Sequence, residues 1–108
     1  MARFVKGDVV VVPFPFSDLS PSRRRPALVV AELPDDELVL CQVTSQSVRD
    51  AQAVMISDGD FQSGSLQQTG NIRPNRLFTA DQSTIVYRLG QLKPHVVEFV
   101  IARLKRLF

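Results

Sequence analysis

The sequence predicts a mostly β fold, a small antiparallel sheet or barrel accompanied by one C-terminal helix. Three observations lead to it. Val9 to Val12, Pro26 to Leu33 and Glu37 to Thr44 are short, evenly spaced β-rich runs, the pattern of a small antiparallel sheet. Clusters of Pro, Gly, Asp and Ser punctuate the chain between such runs. A helical apolar period emerges only after Lys93-Pro94.

Taken in order, Gly7-Asp8 opens the first strand, and the unbroken Val9 to Val12 run implies burial on both faces. Pro13 and Pro15 end its pairing. Ser17 to Arg24 reads as a loop, and Pro26 to Leu33 as the second strand. Pro34-Asp35-Asp36 is a hairpin turn leading into a third strand, Glu37 to Thr44. Ala53 to Ser57 is a short fourth strand and Asp58-Gly59-Asp60 a turn. Gln62 to Asn71, with Gly64, Gly70 and many polar residues, reads as a mobile loop. Leu77-Phe78-Thr79 is a fifth strand interrupted upstream by Pro74. Asp81 caps a short helical turn, and Thr84 to Leu92 is a sixth strand. Pro94 suits the first turn of the terminal helix. Val96, Val97, Phe99, Val100, Ile101, Leu104 and Leu107 supply its apolar stripe.

A chain of 108 residues is expected to form one domain spanning 1–108. With 44% hydrophobic residues it can bury a core without disulfides or metals. No apolar run approaches the roughly 20 residues of a membrane span. The N-terminus lacks the apolar region of a signal peptide. With a single cysteine, Cys41, these features point to the reducing cytoplasm. Net charge is only +2, but it is uneven: residues 1–31 carry +3, residues 32–60 carry −6 and residues 61–108 carry +5. Ten of the thirteen basic residues are arginine, so a basic face suited to a polyanion is expected.

Side chains with chemical potential are few. One His and one Cys exclude the usual clusters of metal ligands. Asp58-Gly59-Asp60 lacks the further oxygens of a calcium loop. Cys41 lies within a strand and reads as packing, and His95 at a helix start reads as a surface or capping residue. Two features remain, Arg23-Arg24-Arg25 before Pro26 and Thr44-Ser45-Gln46 at the end of the third strand. A residue before proline is held extended, so Arg25 presents its guanidinium from the loop–strand junction. Counting outward from the turn, Arg25 lies nine residues before Pro34 and Thr44 nine after Asp35. A hairpin therefore brings guanidinium and hydroxyl to one sheet edge. From the residues alone, two readings stay open: a phosphate-binding pair, or an arginine-rich surface loop beside an ordinary strand threonine.

The order of short segments resembles the MazF/PemK toxins of bacterial toxin–antitoxin systems. The matching pieces are Lys6-Gly7-Asp8-Val9-Val10, Arg24-Arg25-Pro26-Ala27-Leu28-Val29-Val30, Val43-Thr44-Ser45-Gln46, Leu77-Phe78-Thr79 and Leu89-Gly90-Gln91-Leu92. The resemblance implies a compact SH3-like barrel of the CcdB/PemK kind with a C-terminal helix, usually a homodimer. It implies metal-independent, cofactor-free cleavage of single-stranded RNA, often messenger RNA, leaving a 2′,3′-cyclic phosphate and a 5′-hydroxyl. By that resemblance Arg25 and Thr44 are the catalytic pair. Arg23, Arg24, Ser45, Gln46, Arg73 and Arg76 are expected to hold the RNA, and Phe14 or Phe16 to stack on a base. An acidic cognate antitoxin is the expected protein partner. Loop Ser17 to Ser22 is shorter than in many members, and Asn75-Arg76 stands near the place of a family Gln/Arg pair. The competing expectations are a non-catalytic toxin of the CcdB type, which binds DNA gyrase through the terminal helix, and an inactive relative that only binds antitoxin.

Overall fold

A long antiparallel hairpin organises the molecule. Its arms are β2 (Arg24–Glu32) and β3 (Glu37–Thr44), joined by a 3-10 turn over Pro34–Asp36. Asp35 and Asp36 both take positive φ, 62° and 63°, a region that aspartate enters more readily than most residues. The turn closes with Leu33 N–H donating to Glu37 O at 2.8 Å. The computed structural model describes residues 3–13, 24–45, 51–66 and 68–108. The other strands are β1 (Asp8–Pro13), β4 (Val54–Ile56), β5 (Phe61–Gly64), β6 (Gly70–Asp81) and β7 (Tyr87–Leu92), followed by helix α1 (Pro94–Lys105). Among the described residues these strands form one antiparallel sheet, ordered β4-β6-β3-β2-β1-β7-β5, that curls into a half-barrel.

Alternation along the strands divides the interior in two. Val9, Leu28, Val30, Cys41, Val43, Ile72 and Leu92 point to the side covered by Val96, Val97, Val100 and Leu104 of α1. Val10, Val12, Ala27, Val29, Leu38 and Leu40 point to the other side, closed by Ile85, Phe4 and Phe78. The valine run of β1 is thus buried on both faces, as its unbroken β-branched sequence predicts. Gly7, with φ of 98°, turns the chain into β1. Its N–H donates to Val29 O and its carbonyl accepts from Leu92 N–H, both at 2.9 Å. Asp8 beside it is wholly buried and satisfied: Val5 N–H, Gln91 Nε2 and Arg88 Nη1 donate at 2.9, 3.0 and 3.5 Å.

Besides the sixth expected strand, which begins at Tyr87 rather than Thr84 because Gln82–Thr84 forms a 3-10 turn, three sequence expectations need correction. Gln62 to Asn71 is not one loop, because β5 reaches Gly64 and β6 starts at Gly70. The glycines that suggested a loop instead allow strands to approach. A Cβ on Gly64 would lie 2.2 Å from Leu89 O, and one on Gly90 would lie 2.5 Å from Ser63 O. Second, Pro74 does not interrupt a strand. Cys41 pairs with Leu77 while its neighbour Gln42 pairs with Arg73, so Pro74, Asn75 and Arg76 form a bulge inside a continuous β6. Third, Phe99 and Leu107 leave the core and are 50% and 37% exposed. Phe99 lies roughly a third of a turn from the centre of the buried helix face, and the Arg103 guanidinium sits 5.1 Å from its ring centroid.

The remaining terminal elements follow their local chemistry. Pro94 occupies the first turn of α1, where no N–H is needed, and Arg103 and Lys105 sit in the last turn, where the carbonyl ends favour cations. Asp81 caps the 3-10 turn Gln82–Thr84 by accepting from Ser83 N–H at 2.8 Å. The Ser83 hydroxyl, then its N–H, hold the Asp81 carboxyl below its ordinary pKa. Among the described residues no helix is long and apolar enough to cross a membrane.

Candidate functional site

The candidate site lies at the open end of the β2–β3 hairpin, and a bulge decides which residues meet there. Near the turn, Glu32 pairs with Leu38 and Ala31 with Val39. The register then shifts, and Val29, Leu28 and Ala27 pair with Leu40, Cys41 and Gln42. Carried two residues further, this second register sets Arg25 opposite Thr44. Without the shift Arg25 would oppose Ser45. Both positions are independently held: Arg25 pairs with Val12 of β1, and Thr44 with Asn71 of β6.

Side-chain alternation gives their direction. Arg25 is in phase with Ala27 and Val29, and Thr44 with Leu40 and Leu38, all on the face turned away from α1. One row across the sheet therefore reads Val12, Arg25, Thr44, Asn71, and the next reads Val10, Ala27, Gln42, Arg73. Thr44 is only 9% exposed, which restricts its hydroxyl, whereas Arg25 is half-buried with solvent on one side. Arg24 is exposed and points to the opposite face by alternation; Ser45 is exposed at the end of β3. Arg73 is half-buried on the site face, and Arg76 is exposed within the β6 bulge. The structure thus brings Arg25, Thr44 and Arg73 to one face, sets Arg76 in the bulge at its margin and turns Arg24 toward the opposite face. Arg23, Gln46 and Phe16 lie outside the described residues, as does Phe14.

Charge is separated along the hairpin. Glu32, Asp35, Asp36, Glu37 and Asp81 gather at the turn end, where Arg3 Nη1 reaches Asp36 Oδ1 at 2.7 Å. Arg24 and Arg25 stand at the other end, roughly 25 Å or more away at the ordinary strand rise, and Arg73, opposite Gln42, lies about 17 Å along β3 from Glu37. For Arg25 that is more than twice the Debye length of about 8–10 Å, so the turn-end acids do little to neutralise it. Part of the uneven charge read from the sequence falls at the two ends of the β2–β3 hairpin, while Arg88, Lys93, Arg103, Lys105 and Arg106 lie on β7 and around α1.

The other reactive side chains are placed elsewhere. Cys41 is fully buried in the core under α1, and burial pushes its thiol up to about 12, so it stays neutral and unreactive near pH 7. His95 is exposed in the first turn of α1. Among the described residues, no group of three or more His, Cys, Asp or Glu side chains is brought together. What the site offers is a guanidinium and a hydroxyl on one face at the open end of the hairpin, residue types suited to gripping a phosphodiester and the charge that develops on it.

Sequence reasoning did not single out Gln42 or Asn71. Gln42 was legible in principle, because it stands two residues before Thr44 and shares its face. Asn71 carries no local signal, since only the β3–β6 register brings it opposite Thr44.

Comparison with known proteins supplies the family. No curated protein sequence matches the chain significantly. Several solved structures share its fold. MazF from Deinococcus radiodurans superposes with a TM-score of 0.77 at 20% identity, covering 99% of this chain and 97% of that one. The MazE–MazF structure from the same organism gives 0.75 at 19%, covering 99% and 96%. An endoribonuclease from a mycobacterial species, solved with its cognate antitoxin, gives 0.75 at 15%, covering 95% and 92%. At such identities these likenesses establish the fold. Residues 5–108 match the profile of the PemK-like, MazF-like toxins of type II toxin–antitoxin systems, and the chain belongs to that family.

Proposed function

We propose that this toxin is a metal-independent endoribonuclease that cuts single-stranded RNA, with messenger RNA as its substrate, at the Arg25–Thr44 site. The observation that supports the reading is the β2–β3 register, which when continued two residues past Ala27 and Gln42 sets half-buried Arg25 opposite buried Thr44 at the open end of the hairpin. In the proposed reaction the ribose 2′-oxygen attacks its own 3′-phosphate and loses its proton. The bond from phosphorus to the 5′-oxygen breaks, and that oxygen gains a proton. The products are a 2′,3′-cyclic phosphate and a 5′-hydroxyl. Arg25 binds the phosphate and offsets the charge that builds on its oxygens; arginine stays cationic throughout, so it acts as an electrostatic group rather than as a base. Thr44 donates a hydrogen bond to a non-bridging oxygen. Arg23, Arg24, Arg73 and Arg76 follow the RNA backbone, Ser45 and Gln46 hold the strand beside Thr44, and Phe16 stacks on a base.

Two partners accompany this reading: a second copy of the chain, and an acidic cognate antitoxin in the same cytoplasm. The MazE–MazF structure and the endoribonuclease solved with its cognate antitoxin support the latter. An acidic segment complements the arginine end of the sheet and competes there with RNA. The test is cleavage of mixed-sequence RNA in excess EDTA, beside Arg25→Ala and Thr44→Ala. The expected result is cutting by the parent chain, cyclic-phosphate ends, and loss in both variants. Cutting that survives Arg25→Ala overturns the site and keeps the activity. Exposed Phe99 and Phe108 favour a second, non-catalytic reading in which α1 docks on another protein. Folded, antitoxin-free protein that cuts no RNA would favour it.

A further inference from the structure

The row that holds Arg25 and Thr44 does not end at Asn71. Met55 of the edge strand β4 is the direct partner of Asn71, just as Asn71 is of Thr44. Directly opposed residues on antiparallel strands share a face, with Cβ atoms roughly 4.5–5.5 Å apart. Arg25, Thr44, Asn71 and Met55 therefore stand in line across four neighbouring strands. Burial along β4 agrees: Val54 and Ile56 enter the core under α1, while Met55 between them faces outward and is 69% exposed.

The strands are closely packed just before this point. A Cβ on Gly70 would lie 2.5 Å from Leu66 Cδ2 and 3.1 Å from Val43 Cγ1, so glycine lets β6 close tightly on its neighbours just before Asn71. Core packing gives no reason for an exposed thioether on an edge strand. Beside an amide and a phosphate-binding pair, its chemistry has a use. A polarisable sulfur packs well on an aromatic ring. The neighbouring amide carries two donors and an acceptor, so beside the interaction Asn71 makes within the fold it has the donor and acceptor that read a base edge bidentately. Strand spacing puts Asn71 about 10 Å and Met55 about 14 Å from Arg25, a span suited to a base hanging from the bound phosphate.

We propose that Asn71 and Met55 form a nucleobase subsite next to the Arg25–Thr44 pair, Met55 packing on the face of one base and Asn71 reading its edge. This inference rests on the ribonuclease reading and gives that site part of its sequence preference. The occupant is an unpaired RNA base with an adjacent donor and acceptor on one edge, since a base stacked in a duplex would not offer its face to Met55.

Two readouts separate the subsite from the ribonuclease reading. The first is the affinity of a panel of 2′-O-methyl RNA pentamers, which cannot undergo 2′-hydroxyl attack, varied one base at a time. The second is the cut-site profile on a randomised RNA pool. Parent protein, Asn71→Ala and Met55→Ala are compared, and Met55→Ala changes an exposed side chain that folding does not need. Expected is a preference at one base position in the parent that both variants reduce roughly tenfold, with preferences elsewhere kept. Discrimination that either folded variant leaves intact overturns the subsite, whether or not the parent cuts. So does a uniform loss across all sequences. Pentamer discrimination that responds as expected, with no cutting by the parent, removes the ribonuclease reading and keeps the subsite.

Discussion

Thr44→Val tests the proposed chemistry with little disturbance of the fold. The substitution keeps a β-branched side chain of similar volume at the end of β3 and deletes one hydroxyl. Thr44 is 9% exposed, so water cannot easily take the place of the lost donor. If that hydroxyl meets charge developing on phosphate oxygen, its removal should slow the chemical step about a hundredfold, or roughly 2.7 kcal/mol of barrier. The cost to folding is smaller, about 1 kcal/mol for one hydrogen bond, partly offset by the apolar replacement. The two quantities therefore separate. Single-turnover cleavage of a fluorescent RNA reads the first, and urea unfolding reads the second. Arg25 stands next to Thr44 in the same row, so Arg25→Ala with Thr44→Val should lose less than the product of the single losses. A folded Thr44→Val protein that cuts within about threefold of the parent rate would refute the role given to the hydroxyl.

Three further outcomes are expected. RNA affinity should fall with salt, with a slope of log K on log salt near about −2.8 if Arg24, Arg25, Arg73 and Arg76 each neutralise one phosphate of a single strand; a slope near zero removes the backbone contacts. Gly90→Ala should destabilise the chain by roughly 1–3 kcal/mol in urea unfolding, because its Cβ would meet Ser63 O at 2.5 Å. Since β7 is separated from β2 by β1, activity per folded molecule should be kept in that variant. For Cys41, burial raises the folded pKa to about 12, above the ordinary thiol value, so its contribution is complete below that ordinary value and declines as pH climbs toward 12. Unfolding free energy should drop by roughly 1–2 kcal/mol between pH 8 and pH 10 from this group, and Cys41→Ala should remove that part of the slope.

Local chemistry alone carried much of the fold. The β-branched run of β1, the Pro34-Asp35-Asp36 turn, the Asp81 cap and the proline-led helix each follow from preferences that act within a few residues. So do the arginine cluster before Pro26 and the threonine at the end of β3. Tertiary structure decided which of these meet. Counting symmetrically about the turn pairs Arg25 with Thr44, yet the turn-proximal register alone would pair it with Ser45; the bulge between Val29 and Ala31 restores the partner. A bulge depends on how twisted strands pack, and no signal within one strand marks it. Gly64 and Gly70 look like loop residues until their close neighbours across the sheet are in view. Asn71 and Met55 reach the site line only through β6 and β4, strands distant from Arg25 in sequence. Pairing across a sheet depends on the whole set of strands competing for neighbours, so the composition of a surface row is settled by the folded chain.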